Sequence, residues 1–233
     1  MAAGWFAGHG YPVEAVRHAQ AARDWDLAAR LLADHWPGLY LDGQAAVVHE
    51  LLAGFPAGQL AADAELAAVA AGDELAQGSL EAAGRYLGLA ERASASVPVG
   101  RRGQAQLLLG IIRLLLARQR GDRPAVAEEA GRLQAMAEAP EAARPGLGEE
   151  LRALALISLG STEFWASRFA EAERHLDQGI ALARRVGRPY LEYTGLVYTA
   201  SELFQSAALA AEHSRQAVEL AERHGWTDEP AAG

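Results

Sequence analysis

The pattern of apolar positions is clearest between residues 154 and 183. Apolar residues recur there mostly at spacings of three and four, which places each set on one face of a helix. The first set is Leu156, Leu159 and Trp165, and the second is Phe169, Ala172, Leu176, Ile180 and Ala183. The pattern predicts two helices joined by a short turn near Ser167-Arg168. A hairpin of this size needs stacked neighbours, because it cannot bury its apolar faces alone.

Helical patterns recur along the rest of the chain, and no stretch shows the sustained alternation that is typical of a strand. Pro12 and Pro124 are expected in the first turn of a helix, and Asp24 and Asp63 are predicted N-caps. The helix that Asp24 opens is predicted to stop at Pro37-Gly38, because proline disrupts a helix interior. With this stop, all nine prolines fall at predicted boundaries or in first turns. The chain is therefore predicted to be all-α, with about eleven or twelve helices.

An internal repeat is tested by aligning the small residue early in each second helix. These residues are Ala28, Ala83, Val126, Ala172 and Ala210. Their separations are 55, 43, 46 and 38 residues, whereas a strict tetratricopeptide array has a period of about 34. Gly78, Gly121 and Ser167 each lie five residues before an aligned position, where the turn is expected. We expect a right-handed superhelix, an α-solenoid of stacked tetratricopeptide-like hairpins with lengthened helices or loops.

The composition is that of a globular chain with ample material for a core. Of its 233 residues, 51% are hydrophobic and 22% are charged. Cysteine is absent, which excludes disulfides, zinc–thiolate sites and a cysteine nucleophile, and fits a cytoplasmic location. All 21 basic residues are arginine, which excludes the lysine of a phosphate-binding loop and a Schiff-base lysine.

The charge pattern argues against direct binding of nucleic acid. The formal net charge is -9, and a duplex-binding face needs clustered cations. The adjacent pairs Arg101-Arg102 and Arg184-Arg185 are interpreted as ordinary solvated helix ends. No signal peptide is recognised at the start, and the longest apolar run, residues 107–117, is too short to cross a membrane. We therefore expect no membrane partner.

Two consecutive segments carry a resemblance to a known family. Residues 9–19 read HGYPVEAVRHA, and residues 23–32 read RDWDLAARLL. Together they are similar to the stretch that follows the ATPase module in MalT-like, LuxR-family bacterial transcription regulators. Residues 78–83, 159–183 and 213–222 agree with later parts of that family, so the resemblance covers most of the chain.

The resemblance implies a domain organisation and a role. Residues 1–58 would be the helical junction after the ATPase module, and residues 59–233 would be tetratricopeptide-like repeats, truncated at the C-terminal end. In that family the repeats sense an inducer, and a helix-turn-helix domain binds DNA. No phosphate-loop lysine and no basic recognition helix occur in this chain. We therefore expect a segment of a larger regulator that reaches DNA only through a further domain.

Catalytic and metal-binding alternatives have little support in the sequence. The seven histidines form no His-Glu-x-x-His or equivalent ligand motif. Glu171 and His175 are expected to be a surface polar pair, and His18 a packing histidine near Trp25. No nucleophile, base and orienting group can be assembled around Ser161. We predict a protein that is not an enzyme and needs no metal or cofactor.

The remaining candidate is a binding groove, because the first helix of each stacked hairpin lines a concave surface. The predicted groove residues are Arg118, Gln119, Ser161, Phe164, Trp165, Glu192, Thr199 and Glu202. Phe164 and Trp165 are adjacent, so both cannot face the same core, although both could pack between repeats. The expected partner is a small-molecule inducer or a protein or peptide, with self-association as a further option. A generic tetratricopeptide-like protein-interaction scaffold outside transcription is the alternative.

Overall fold

The computed structural model describes residues 2–56, 58–138, 147–200 and 207–226, and these residues form helices and turns with no strand. The α-helices are α1 Ala2–Gly8, α2 Pro12–Ala21, α3 Trp25–Leu41, α4 Ala45–Ala53, α5 Gln59–Ala62, α6 Ala64–Ala76, α7 Leu80–Ala93, α8 Arg102–Gln119, α9 Arg123–Glu138, α10 Leu147–Trp165, α11 Phe169–Val186, α12 Pro189–Ala200 and α13 Ala207–His224. Two short 3-10 helices, Ser94–Ser96 and Val99–Arg101, lie between α7 and α8. The all-α prediction is confirmed.

The chain divides into two compact units, residues 1–112 and residues 113–233, with the boundary inside α8. In the first unit α2 packs against α1 and α3, and α6 packs against α7, α3 and α4. Trp36 is fully buried in this core beside Gly72. A Cβ atom on Gly72 would overlap Cζ2 of Trp36, so only glycine allows α6 to approach the indole this closely.

The second unit is built from hairpins that follow one another along the chain. α10 pairs with α11 and α12 pairs with α13, while α11 contacts α12 and α10 also contacts both α9 and α12. Small residues sit where these helices cross. A Cβ atom on Gly160 would lie 2.6 Å from Cγ of Leu176, and one on Gly179 would lie 2.7 Å from Cγ1 of Ile157. The predicted hairpin at residues 154–183 is therefore present, with its two helices in close contact.

The turns that join paired helices share one backbone geometry. Gly78, Gly121 and Ser167 have φ of +76°, +68° and +60°, as does Arg23 with +57°. In each turn the next residue donates its N–H to the carbonyl five positions earlier, for example Ser79 to Glu74 at 2.8 Å. This is the Schellman closure of a helix, and the residue after the left-handed position serves as the N-cap of the second helix. Asp24 caps α3 in this way through its side chain, at 3.1 Å from the Leu27 N–H.

The predicted stop at Pro37-Gly38 is wrong, because α3 continues through Pro37 to Leu41. A proline inside a helix lacks the N–H that would bond the carbonyl four residues earlier. That carbonyl belongs to Ala33, and it accepts a 2.8 Å hydrogen bond from Nε2 of Gln104 instead. A side chain from α8 thus replaces the missing backbone donor, which a reading of local sequence signals could not foresee.

Replacing Gln104 with alanine should lower the free energy of unfolding by about 1–2 kcal/mol, because the Ala33 carbonyl is left buried without a donor. In a Pro37→Ala background the same change should cost less, since Ala at 37 supplies the backbone N–H. Urea denaturation of the four proteins of this double-mutant cycle measures the coupling. Equal costs of Gln104→Ala in the two backgrounds would contradict the explanation.

Candidate functional site

The structure places the predicted groove residues in different environments. Ser161 and Thr199 are buried, and each hydroxyl donates to a carbonyl of its own helix, Ser158 at 3.0 Å and Gly195 at 2.7 Å. Arg118 is buried near the end of α8, while the following Gln119 is half-buried. Glu202 lies outside the described residues. Assignment of these residues to a ligand groove stays a prediction.

The adjacent residues Phe164 and Trp165 differ in exposure, as is expected of neighbours on a helix. Phe164 is half-buried and its ring packs edge-on against Phe169, with the ring centroids 6.0 Å apart. Trp165 is 73% exposed at the end of α10, with its ring 5.3 Å from that of Phe164. An exposed indole combines a large apolar surface with one N–H donor, and tryptophan side chains of this kind are enriched at contacts with partners. Trp165 is therefore the predicted groove residue that is best placed to contact a ligand.

A polar pair of one buried and one half-buried side chain lies close to these aromatic residues. Oε2 of Glu163 is 2.6 Å from Nδ1 of His175, and the Glu163 side chain is 9% exposed. This contact links α10 to α11. The predicted pairing of Glu171 with His175 is wrong, because Glu171 instead accepts a 2.5 Å hydrogen bond from Arg168 in the turn. Glu171 and His175 do lie one helical turn apart. Their hydrogen-bond partners, however, are Arg168 in the preceding turn and Glu163 on α10.

Glu192, another predicted groove residue, takes part in a network across three helices. Arg184 of α11 donates to Oε1 of Glu192 at 2.6 Å and to Oε1 of Gln216 on α13 at 2.8 Å. Arg188 donates to Glu150 at 2.9 Å, which ties the start of α12 to α10. These contacts hold successive hairpins of the second unit together. Any ligand that used the Glu192 carboxylate would compete with Arg184 for it.

Some polar clusters were not found from the sequence. The interpretation of Arg101 as an ordinary solvated helix end is wrong, because its side chain is only 22% exposed. Arg101 forms two hydrogen bonds with Glu65, at 2.9 and 3.0 Å, and a third with Asp34 at 2.7 Å. His49 Nδ1 lies 2.8 Å from Oδ2 of Asp73. The partners are 24 to 67 positions apart, so no short motif marks them. The only signal in the sequence was the presence of acidic residues on the alanine-rich α6. The hydrophobic pattern does not tell whether such a residue is buried or lies at the surface.

His18 was expected to pack near Trp25. Its ring stacks on Phe6, with the centroids 4.7 Å apart, whereas Trp25 packs against Phe55. His18 therefore contacts an aromatic ring of α1, but it is an exposed residue and not a buried packing histidine. Within the described ranges, no three His, Asp or Glu side chains are grouped so that they could hold a metal ion. None of the helices described is both long and apolar enough to cross a membrane.

The His49–Asp73 pair gives the first unit a pH dependence. The hydrogen bond and charge of Asp73 raise the pKa of His49, and burial raises the pKa of Asp73 despite the opposing effect of His49. Both shifts mean that the folded state binds protons more tightly than the unfolded state. The contribution of His49 to stability is therefore complete below its unfolded pKa of about 6.5, and it is lost as the pH rises through the higher folded value.

We expect the free energy of unfolding of the wild type to fall, relative to that of His49→Gln, as the pH rises from about 6 to above 8. The difference should stay below about 1 kcal/mol, because the His49 side chain is 59% exposed. Urea denaturation of both proteins across this range measures the difference, since the other histidines are common to both. Parallel pH profiles would show that the pair contributes nothing.

Comparison of the chain with protein-family models, curated proteins and solved structures gives no significant match.

Proposed function

We propose that this chain is a non-catalytic sensor region of a MalT-like, LuxR-family transcription regulator, folded as a right-handed superhelix of tetratricopeptide-like hairpins. The observation that supports it best is in the second unit. There α10–α11 and α12–α13 are successive hairpins, and the first helices of the two hairpins also contact each other. Adjacent first helices are what a stack of such repeats requires.

The proposed mechanism is binding without chemistry. An inducer or a partner protein would contact the indole of Trp165, which already stands exposed at the end of a first helix. Binding would then bias the arrangement of the repeats, and a nucleotide-dependent module in the same polypeptide would respond. Coupling of this kind requires a ligand that prefers one arrangement over another. DNA contact would belong to a separate domain.

An exposed tryptophan is equally suited to an apolar side chain of a peptide, which keeps the protein-interaction scaffold as the second candidate. The sequence encoded on either side of the chain separates the two. A phosphate-binding loop upstream and a helix-turn-helix downstream support the regulator. Unrelated neighbours on both sides in the same reading frame would overturn it and favour the scaffold.

The ligand itself is sought with a thermal-shift screen of small metabolites and of peptides. A compound that binds the folded chain raises its melting temperature in proportion to the logarithm of its concentration above Kd. To locate the binding site of such a compound, Trp165→Ala is a better first variant than Arg118→Ala. Trp165 is exposed, so its removal leaves the core intact, whereas Arg118 is buried and its loss would change the melting temperature by itself.

A further inference from the structure

A small cleft in the first unit carries a feature that the proposed groove does not explain. The cleft has a volume of about 10 Å³, and we call it the Asp73 cleft. It is lined by Trp36, Tyr40, Ala45, Val48, Gly72, Asp73 and Ala76. Asp73 is its charged member. The cleft lies between α3, α4 and α6, and it is partly open to solvent.

The two carboxylate oxygens of Asp73 differ in their hydrogen bonding. Oδ2 is 2.8 Å from Nδ1 of His49. Oδ1 is buried, and no residue in the described part of the chain donates a hydrogen bond to it. The Asp73 side chain as a whole is only 10% exposed. A buried carboxylate oxygen without a donor is costly, so the site is built to accept a donor from outside the chain.

The remaining walls restrict what that donor can be. Trp36 and Tyr40 stack with their ring centroids 5.4 Å apart, and the other neighbours are aliphatic. An ordered water usually has two to four polar partners, and a divalent metal ion needs several oxygen ligands. A cationic group fits both features if it gives one N–H to the carboxylate, leaves its other N–H groups to solvent at the open side, and carries a carbon that lies against the aromatic rings, because cations are attracted to ring faces.

We propose that the Asp73 cleft binds the head group of a primary alkylammonium ion. One N–H donates to Oδ1 of Asp73, and the other two are hydrated through the open side of the cleft. The carboxylate, which also pairs with His49, attracts the positive charge, and the first carbon lies against Trp36 and Tyr40. The cleft holds only the head group, so the alkyl chain leaves through the open side. The ligand is either a free amine or the side chain of a lysine in another protein, since this chain contains no lysine of its own.

The experiment follows the indole N–H resonance of Trp36 in the whole chain, assigned with Trp36→Phe, during titration with methylammonium and n-butylammonium chloride. Sodium chloride at equal ionic strength is the control. We expect a saturable shift with a dissociation constant on the order of millimolar, as the size of the ligand limits the affinity. Tetramethylammonium has no N–H and should bind at least about tenfold more weakly, because it cannot donate to the carboxylate.

Two variants test the geometry, and a third is the matched control. Asp73→Asn keeps the shape but removes the charge, and Ala76→Leu fills the partly exposed rim without touching the carboxylate. Both should weaken butylammonium binding by at least about tenfold, which is what loss of one charged hydrogen bond implies. Glu50→Gln removes an exposed carboxylate next in sequence to His49 and should leave binding unchanged. Ala76→Leu keeps the test valid if Asp73→Asn does not fold.

Nα-acetyl-lysine methylamide separates the two sources of the ligand. Binding as tight as that of n-butylammonium supports a lysine side chain, and much weaker binding supports a free amine. No saturable shift beyond that of sodium chloride would overturn the proposal, as would equal binding by Ala76→Leu and the wild type. None of these outcomes depends on the groove proposed in the second unit.

Discussion

Replacing Arg101 with methionine is expected to lower the free energy of unfolding of the first unit by about 3 kcal/mol, the scale seen when one partner of a buried ion pair is removed. Arg101 is the shared donor for Glu65 and Asp34. Glu65 has a side chain only 9% exposed, and burial already raises its pKa although Arg101 opposes the shift. Without Arg101 the carboxylate must remain charged without its partner or take up a proton.

Urea denaturation at pH 7 measures this cost, and the pH dependence identifies its source. The raised pKa of Glu65 should rise further in Arg101→Met, so the loss relative to wild type should shrink as the pH falls and Glu65 is protonated. The double variant Arg101→Met/Glu65→Met should recover most of the stability, since apolar replacements of a buried pair are often neutral.

Arg85→Met is the matched control for this prediction. Arg85 pairs with Glu81 one helical turn away on α7, and their side chains are 66% and 89% exposed. Its removal should cost less than about 0.5 kcal/mol, as for other exposed pairs. A loss for Arg101→Met no larger than that of Arg85→Met would contradict the role assigned to the buried cluster.

Enlarging Ala172 to leucine is expected to cost about 3 kcal/mol, at the upper end of the range for overpacking. Ala172 is fully buried at the crossing of α10 and α11. Its carbonyl oxygen would be 3.1 Å from a Cβ atom on Gly160, so the two backbones already approach each other closely. The added side chain must separate the helices or displace Leu176, which packs beside Gly160.

Ala170→Leu is the same substitution two residues earlier, at an exposed position of α11. It should change the free energy of unfolding by less than about 0.5 kcal/mol, as is usual for surface substitutions. Thermal and urea denaturation of both variants measure the contrast. Similar stabilities of Ala172→Leu and Ala170→Leu would mean that α10 and α11 do not cross at this residue.

The local signals in the sequence predicted helices and turns well because they depend on neighbouring residues. Asp24 and Asp63 cap the helices expected of them, and Gly78, Gly121 and Ser167 adopt the left-handed conformation at the expected turns. The failure at Pro37 has a different cause. Whether a helix can pass through a proline depends on a donor for the freed carbonyl, and here that donor is Gln104, 71 positions from Ala33.

The candidate site was harder to predict for the same reason. The exposure of Trp165 follows from its adjacency to Phe164, which helical geometry alone can suggest. The burial of Ser161 and Thr199 does not follow, because each hydroxyl is satisfied by a carbonyl of its own helix and no longer needs water. The Asp73 cleft depends on three helices meeting, and no pattern within one helix reveals that meeting.

The most direct test of the proposed function is calorimetric titration of the best compound or peptide from the thermal-shift screen into wild type, Trp165→Ala and Trp5→Ala. Trp5 is 54% exposed in the first unit and is the control for loss of a surface indole. Removal of a central aromatic contact usually costs 2 kcal/mol or more, so we predict at least about a tenfold weaker affinity for Trp165→Ala. Trp5→Ala should bind as the wild type does. Unchanged affinity in Trp165→Ala, or a screen in which no compound or peptide binds, would contradict a binding groove at this end of α10.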